Sequence, residues 1–311
     1  MPRLAHRFLS RLALLLLLSP AWGQVSKLID LSTQTGKNSF YVVLASRGGS
    51  ATGHALVVWG TEDSVHRRSK IQALGLYPEK DADNCSSVIR TVPGRVMDEM
   101  QNHSFQAVTQ QLIVKVDEDA FERSRKIARQ WDCRHEFSLM TADCVEFLRA
   151  AGESLGLPMP SRFITRWTPT SYVRALLAMV NEGTRELDSG LYTGSLMNRN
   201  PMGQGVLAYA DGSRIEGTFR GADHVAGTGR LNSLPGGFRY EGDVLDFQAH
   251  GIGALSKLLD TGWEPVLKGR FERGRAVKVI RDFGSRDRGA VEIGVVEIQR
   301  AGVQTSVNAA R

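Results

Sequence analysis

The chain has 311 residues, with 39 lysines plus arginines against 33 acids, and a formal net charge of +6. Three of the arginines, Arg3, Arg7 and Arg11, lie in the first 23 residues, which hold no acid, so the remainder carries only +3. That small excess, with no dense Lys/Arg run interleaved with aromatics, gives no ground for a nucleic-acid-binding protein.

Residues 1–23 read as a secretory signal peptide. The three arginines make a positive start, Leu12 to Leu18 make a short apolar run, and Ala21-Trp22-Gly23 places small residues where a signal peptidase reads. The run is too short to span a bilayer, and no cysteine follows it to carry a lipid anchor. The expectation is an exported protein, periplasmic or secreted. Its mature length of about 288 residues suits two modest domains.

Three cysteines remain, Cys85, Cys133 and Cys144. Cysteines tend to pair in an oxidising compartment, and an odd number leaves one over. A Cys85–Cys133 disulfide with Cys144 free is one of three pairings, and the sequence does not choose among them.

In chain order, "SFYVVLAS" (39–46), "GHALVVWG" (53–60), "SKIQALGLYP" (69–78) and "AVTQQLIVKV" (107–116) read as strands. The stretch 79–105 is polar and reads as a long loop with a short helix near Val96–Met100. "DEDAFERSRKIARQW" has Phe121, Ile127, Ala128 and Trp131 at helical spacing, with Asp117 as N-cap and acids in its first turn. "RHEFSLM" is a short extended stretch. A helix then runs from Ala142 to about Leu155 and is stopped by Gly156 and the prolines of "GLPMPSR". "PTSYVRALLAMVNEG" (169–183) is a further helix or a connector. This half reads as a mixed α+β unit over residues 25–180.

Near residue 185 glycine becomes dense. "YTG", "IEG", "YEG" and "LKG" end at Gly194, Gly217, Gly242 and Gly269, with "GQG", "GTG" and "GIG" between them. A near-constant period of this kind means stacked hairpin units. "YTGSLMNRNPMGQGVLAYADGSRIEGTF" resembles a MORN repeat running into the next. The resemblance covers roughly 190–275 and implies an all-β array of MORN hairpins, taken here as residues 190–280, that contacts a protein, an envelope surface or a second copy of the chain. No basic or aromatic stripe commits it to lipid. In the tail, 281–311, "AVEIGVVEIQ" alternates like a last strand.

Cys144 lies in the first turn of its helix, where free N–H groups and the helix dipole favour a thiolate. Asp143 beside it acts in the opposite sense. A nucleophile needs a base, and His54, at the mouth of the strand "GHALVVWG", is the best placed histidine. His135 precedes an extended stretch, and His224 and His250 sit at or near turns of the repeats. No HxxxH or CxxC spacing suggests a metal, and no cofactor is expected.

"GHALVVWG" followed some 90 residues later by "TADCVEFLRAAGESLGLPMPSR" is similar to the circularly permuted papain-like cysteine hydrolases. That group includes the NlpC-type cell-wall peptidases and lecithin:retinol acyltransferase. The resemblance, over residues 38–165, implies an α+β papain-like domain (permuted) with Cys144 as nucleophile and His54 as base. It also implies a third polar residue orienting the histidine, at Gln72 or, if the strand starts earlier, at His66. Asp143 stands where the group often has Asn. The expected activity is hydrolysis of an amide bond through a Cys144 thioester, with a peptidoglycan peptide or another acyl compound as substrate. The alternatives are a lipid acyltransferase or esterase on the same fold, and a non-catalytic envelope scaffold or binding protein.

Overall fold

The computed structural model describes residues 25–33, 39–48, 53–63, 65–79, 90–100, 108–162, 168–187, 190–234 and 237–283. The expected signal peptide, Cys85, His103 and the alternating stretch 290–299 lie outside the described residues.

Six long strands and one short one build the first sheet. They are β1 (Val25–Asp30), β2 (Ser39–Arg47), β3 (His54–Glu62), β4 (Arg68–Pro78), β5 (Val92–Asp98), β6 (Val108–Val116) and β7 (Glu136–Phe137), in the order β1-β6-β2-β3-β4-β5-β7. β1 runs parallel to β6, and every other pair is antiparallel. Three helices follow β6: α1 (Glu118–Asp132), α2 (Cys144–Ser154) and α3 (Pro169–Ala178).

The central strands are apolar on both faces, and alternation assigns their side chains to two cores. Val42, Leu44, Ala55, Val57, Trp59, Leu112 and Val114 pack with Phe121, Trp131, Phe147, Leu148, Tyr172 and Leu176 of the three helices. Tyr41, Val43, Ala45, Leu56, Val58, Ala73 and Ile113 form a separate cluster on the opposite face. β3 therefore sends Ala55 to the helix side and His54 to the other side.

The second sheet is an uninterrupted antiparallel meander of nine strands. They are β8 (Val180–Leu187), β9 (Gly190–Met197), β10 (Asn200–Ala208), β11 (Arg214–Arg220), β12 (Val225–Leu234), β13 (Phe238–Leu245), β14 (Gln248–Leu259), β15 (Gly262–Glu272) and β16 (Arg275–Asp282). The repeated glycines face one another across it: Gly194 pairs with Gly205, Gly205 with Gly217, Gly217 with Gly227, Gly242 with Gly253, and Gly253 with Gly269. Close approach explains two of them. A Cβ on Gly205 would lie 2.3 Å from Tyr192, and one on Gly253 would lie 2.3 Å from Tyr240. Those rings lie over the glycine row and meet Phe219 and Phe271 edge-on, at centroid distances of 4.9 and 5.0 Å.

The N-terminal strand fastens the two sheets together. The Ser32 carbonyl accepts from Gln204 Nε2 (3.1 Å) and Thr218 Oγ1 (2.6 Å), and the Leu31 carbonyl accepts from Arg220 (3.2 Å). Lys27 donates to the carbonyl of Val180 at 2.5 Å.

The expected fold class, an α+β papain-like domain followed by an all-β array of MORN hairpins, is corrected by this architecture. Strands take 61% of the described residues and three helices take 16%, in two large sheets. Three segments account for the difference. The helix expected at Val96–Met100 is mostly strand β5, because Val92 and Gly94 face inward and the segment pairs with Leu74–Pro78 of β4. Residues 25–30 add a strand that no pattern announced. The element expected over 169–183 ends at Ala178, and the chain turns at once into β8, so the meander starts at Val180 rather than 190. Among the described residues no helix is long and apolar enough to cross a membrane.

Candidate active site

Cys144 lies in the first turn of α2, as expected, but the helix starts at Cys144 rather than at Ala142. Asp143 caps that helix: its Oδ1 accepts from the N–H groups of Val145 and Glu146, both at 3.0 Å. This satisfies two of the donors that a helix start leaves open. Arg162 then grips the same carboxylate with both guanidinium nitrogens, Nη1 to Oδ1 at 2.9 Å and Nη2 to Oδ2 at 2.5 Å. Nη2 also donates to the carbonyl of Leu139 at 3.0 Å. Asp143 and Arg162 are 4% and 12% exposed, so the pair is shielded from solvent.

The thiol is buried in the core between α2 and the first sheet. The backbone N–H groups of Ala55 and of Cys144 itself act on the sulfur in the direction that favours a thiolate. Burial pushes it up to about 12, and the Asp143 carboxylate acts in the same direction. The two backbone donors and Arg162 oppose this without reversing it. The resting group is therefore a thiol, and its proton must be removed as it reacts.

His54 is one residue away along β3, on the other face. Its ring stacks on Tyr77, with centroids 4.1 Å apart at 24°. Its Nε2 lies 3.2 Å from Glu99 Oε1. Gly75 makes this possible, since a Cβ there would stand 2.3 Å from Nε2. Glu99 is fully buried. Tyr77 Oη donates a short hydrogen bond to Oε1, and Arg47 Nη2 lies 3.5 Å from Oε2 and donates to Tyr77 Oη at 2.6 Å. Burial alone would push the Glu99 carboxyl up. The contacts with His54, Tyr77 and Arg47 outweigh it and leave the carboxyl lowered.

The geometry thus brings Cys144 to the peptide that joins His54 to Ala55, while no hydrogen bond joins thiol to imidazole among the described residues. The two meet where β3 begins. There the pairing of β3 with β4 has not yet started, because its first rung is Val57–Leu74.

Neither expected third residue reaches His54. Gln72 pairs with Trp59, five residues along β3. His66 is 65% exposed and faces Glu62 at 3.1 Å, beyond the far end of that strand. The carboxylate at His54 is Glu99, which follows β5 in the stretch read as a loop. Its neighbour Tyr77 ("ALGLYP") and the Asp143 partner Arg162 ("MPSR") lie in motifs that the sequence singles out. Cys133 is an exposed free thiol. His135 is exposed and adopts a positive φ of 49° at the turn after α1. His224 is exposed beside Asp223 and Asp246. No group of metal-ligating side chains occurs among the described residues.

Compared with known proteins, the chain matches no family model and no curated sequence. The resemblances to cysteine hydrolases and to MORN repeats therefore rest on their motifs alone.

Proposed function

We propose that the first sheet and its helices carry a thiol-dependent acyl hydrolase, with Cys144 as nucleophile, His54 as base and Glu99 as the group that orients His54. The observation that carries this reading is the packing of Cys144, at the start of α2, in one core with Ala55 of β3, whose N–H favours a negative sulfur. It sets sulfur against the peptide of His54, whose Nε2 faces a buried carboxylate. That leaves Nδ1 for the thiol proton, which the ring reaches by leaving its stack on Tyr77 and passing around the end of β3 from the face opposite Cys144.

In the reaction, His54 takes the S–H proton as sulfur attacks the acyl carbon. The C–N bond breaks, the departing amine takes the proton from His54, and an acyl thioester remains on Cys144. Water then gives a proton to His54 and its oxygen to the acyl carbon, releasing the acid and restoring the thiol. The Cys144 N–H, which the Asp143 cap does not engage, supplies a donor for the developing oxyanion.

An amide substrate, most simply a peptidoglycan peptide met after export, agrees with the signal-like leader and with the order of the "GH" strand and the "DCVEF" helix. The nine-stranded meander would hold the enzyme to a partner or an envelope surface. A second reading, a binding protein without catalysis, is favoured by one observation, the buried thiol. Purified peptidoglycan sacculi incubated with the mature protein decide between them. Release of free amino groups that is lost in Cys144→Ala and in His54→Ala supports the hydrolase. An unchanged substrate, with a Cys144 that an acylating probe never labels, supports the binding protein.

A further inference from the structure

The carboxylate of Asp143 lies next to the sulfur that must become negative, which is unfavourable for a nucleophilic site. A neutral Asn or Ser would cap α2 as well. The structure supplies a compensating charge from a distant point in the chain. Arg162 enters after α2, in a segment held by the hydrogen bond from Tyr172 Oη to the Pro160 carbonyl at 2.9 Å. It meets Asp143 in the bidentate fork that suits a guanidinium and a carboxylate. Its third contact, to the Leu139 carbonyl, ties in the loop that delivers Cys144.

We propose that Arg162 is a positioning residue of the thiol site. It cancels the charge of the Asp143 cap, so that a carboxylate can hold the first turn of α2 without blocking the neighbouring nucleophile. This rests on Cys144 being the reactive group. The charged groups that act on the thiol are Asp143 and Arg162; Glu146 of α2 and Tyr172 of α3 lie beside Arg162, and His54 opens β3 on the other face of the sheet. Of the acids, Asp143 is the one that acts on the sulfur most strongly, and Arg162 is the cation that opposes it.

The test is the rate of Cys144 alkylation by iodoacetamide between pH 7 and 10, read peptide by peptide by mass spectrometry on the full-length mature protein. One unit of thiol acidity is tenfold in thiolate. Arg162→Gln should slow Cys144 about tenfold at pH 9. Asp143→Asn should speed it several-fold. The double variant, which removes both charges and keeps a capping side chain, should return to within about twofold of wild type. A purely structural Arg162 predicts the reverse order: Arg162→Gln loosens the turn and labels faster, and the double variant gains nothing. That order overturns the proposal. If Arg162→Gln does not fold, the double variant alone decides, since a folded double labelling at the wild-type rate supports the role and one at least tenfold slower overturns it. Because alkylation needs no substrate, a wrong order of rates with a reactive wild-type Cys144 sinks the Arg162 role alone. A wild-type Cys144 that resists the reagent at every pH sinks the hydrolase with it.

Discussion

Tyr77 lies flat against His54, and its hydroxyl ends on the same Glu99 oxygen that faces His54 Nε2. In the resting site one residue thus sets both the plane of the imidazole and the position of its carboxylate. Glu99→Gln keeps the shape and removes the charge that stabilises an imidazolium. It should lower kcat/KM for p-nitrophenyl acetate by about 100-fold or more, as loss of a histidine's acid partner does elsewhere. Tyr77→Phe should cost less, about tenfold, because the stack survives. Equal activity in Glu99→Gln and wild type would remove Glu99 from the site.

The thiol also makes a prediction about stability. Its folded value, pushed up to about 12 from an ordinary 9.0, means that the unfolded chain loses the proton first as pH rises. The contribution is complete below about pH 9 and is lost as pH climbs toward 12. Urea midpoints of wild type and Cys144→Ala should therefore converge between pH 8 and pH 10.5. Parallel curves would mean that the thiol is not buried in solution.

Glu62 carries the opposite sign. It is buried at the far end of β3, with Lys115 at 2.6 Å, Arg68 at 2.7 Å and His66 at 3.1 Å. Burial alone would push it up, but those three partners bring it down to about 2. Its stabilising effect is present above about pH 4.5 and disappears as pH falls toward 2. Glu62→Gln should cost about 3 kcal/mol at pH 7, since Lys115 and Arg68 lose their shared buried carboxylate. The loss should shrink at pH 3, which acid and neutral urea titrations would read.

The glycine row permits a contrast within one sheet. Gly253→Ala would drive a methyl into the Tyr240 ring, whereas Gly183→Ala meets its nearest atom, Leu196 Cδ1, at an ordinary 3.5 Å. The first should cost about 2–3 kcal/mol by overpacking, and the second should be neutral within about 0.5 kcal/mol. Thermal melting of the two variants checks both.

The repeat was legible because a tyrosine ring over a glycine imposes a period that any reader of the sequence can count. Although the start was expected at Ala142 and the Asp143 cap was not expected, the place of Cys144 in the first turn of a helix was legible. Glu99 was not, because its role depends on β5 lying beside β4, and "VMDEM" has no alternation to announce a strand. Gln72 looked suitable on the assumption that the third residue sits on the adjacent strand. The side chain there is Gly75, and its missing Cβ admits a carboxylate from beyond the next strand. The face of His54 was equally hidden, since "HALVVW" is apolar on both sides and alternation cannot tell them apart.

The strand at residues 25–30 has a consequence for how the molecule is made. Its parallel partner lies some 85 positions later, and the donors to Leu31 and Ser32 come from Gln204, Thr218 and Arg220, more than 170 positions later. Contacts of such long sequence separation must wait for the loops between them to close, which makes them late and slow. The first strand among the described residues is thus among the last to be secured, and the meander must be standing before the first sheet can be finished. Folding of the two sheets should be one cooperative event rather than two, with β1 as the latch that couples them.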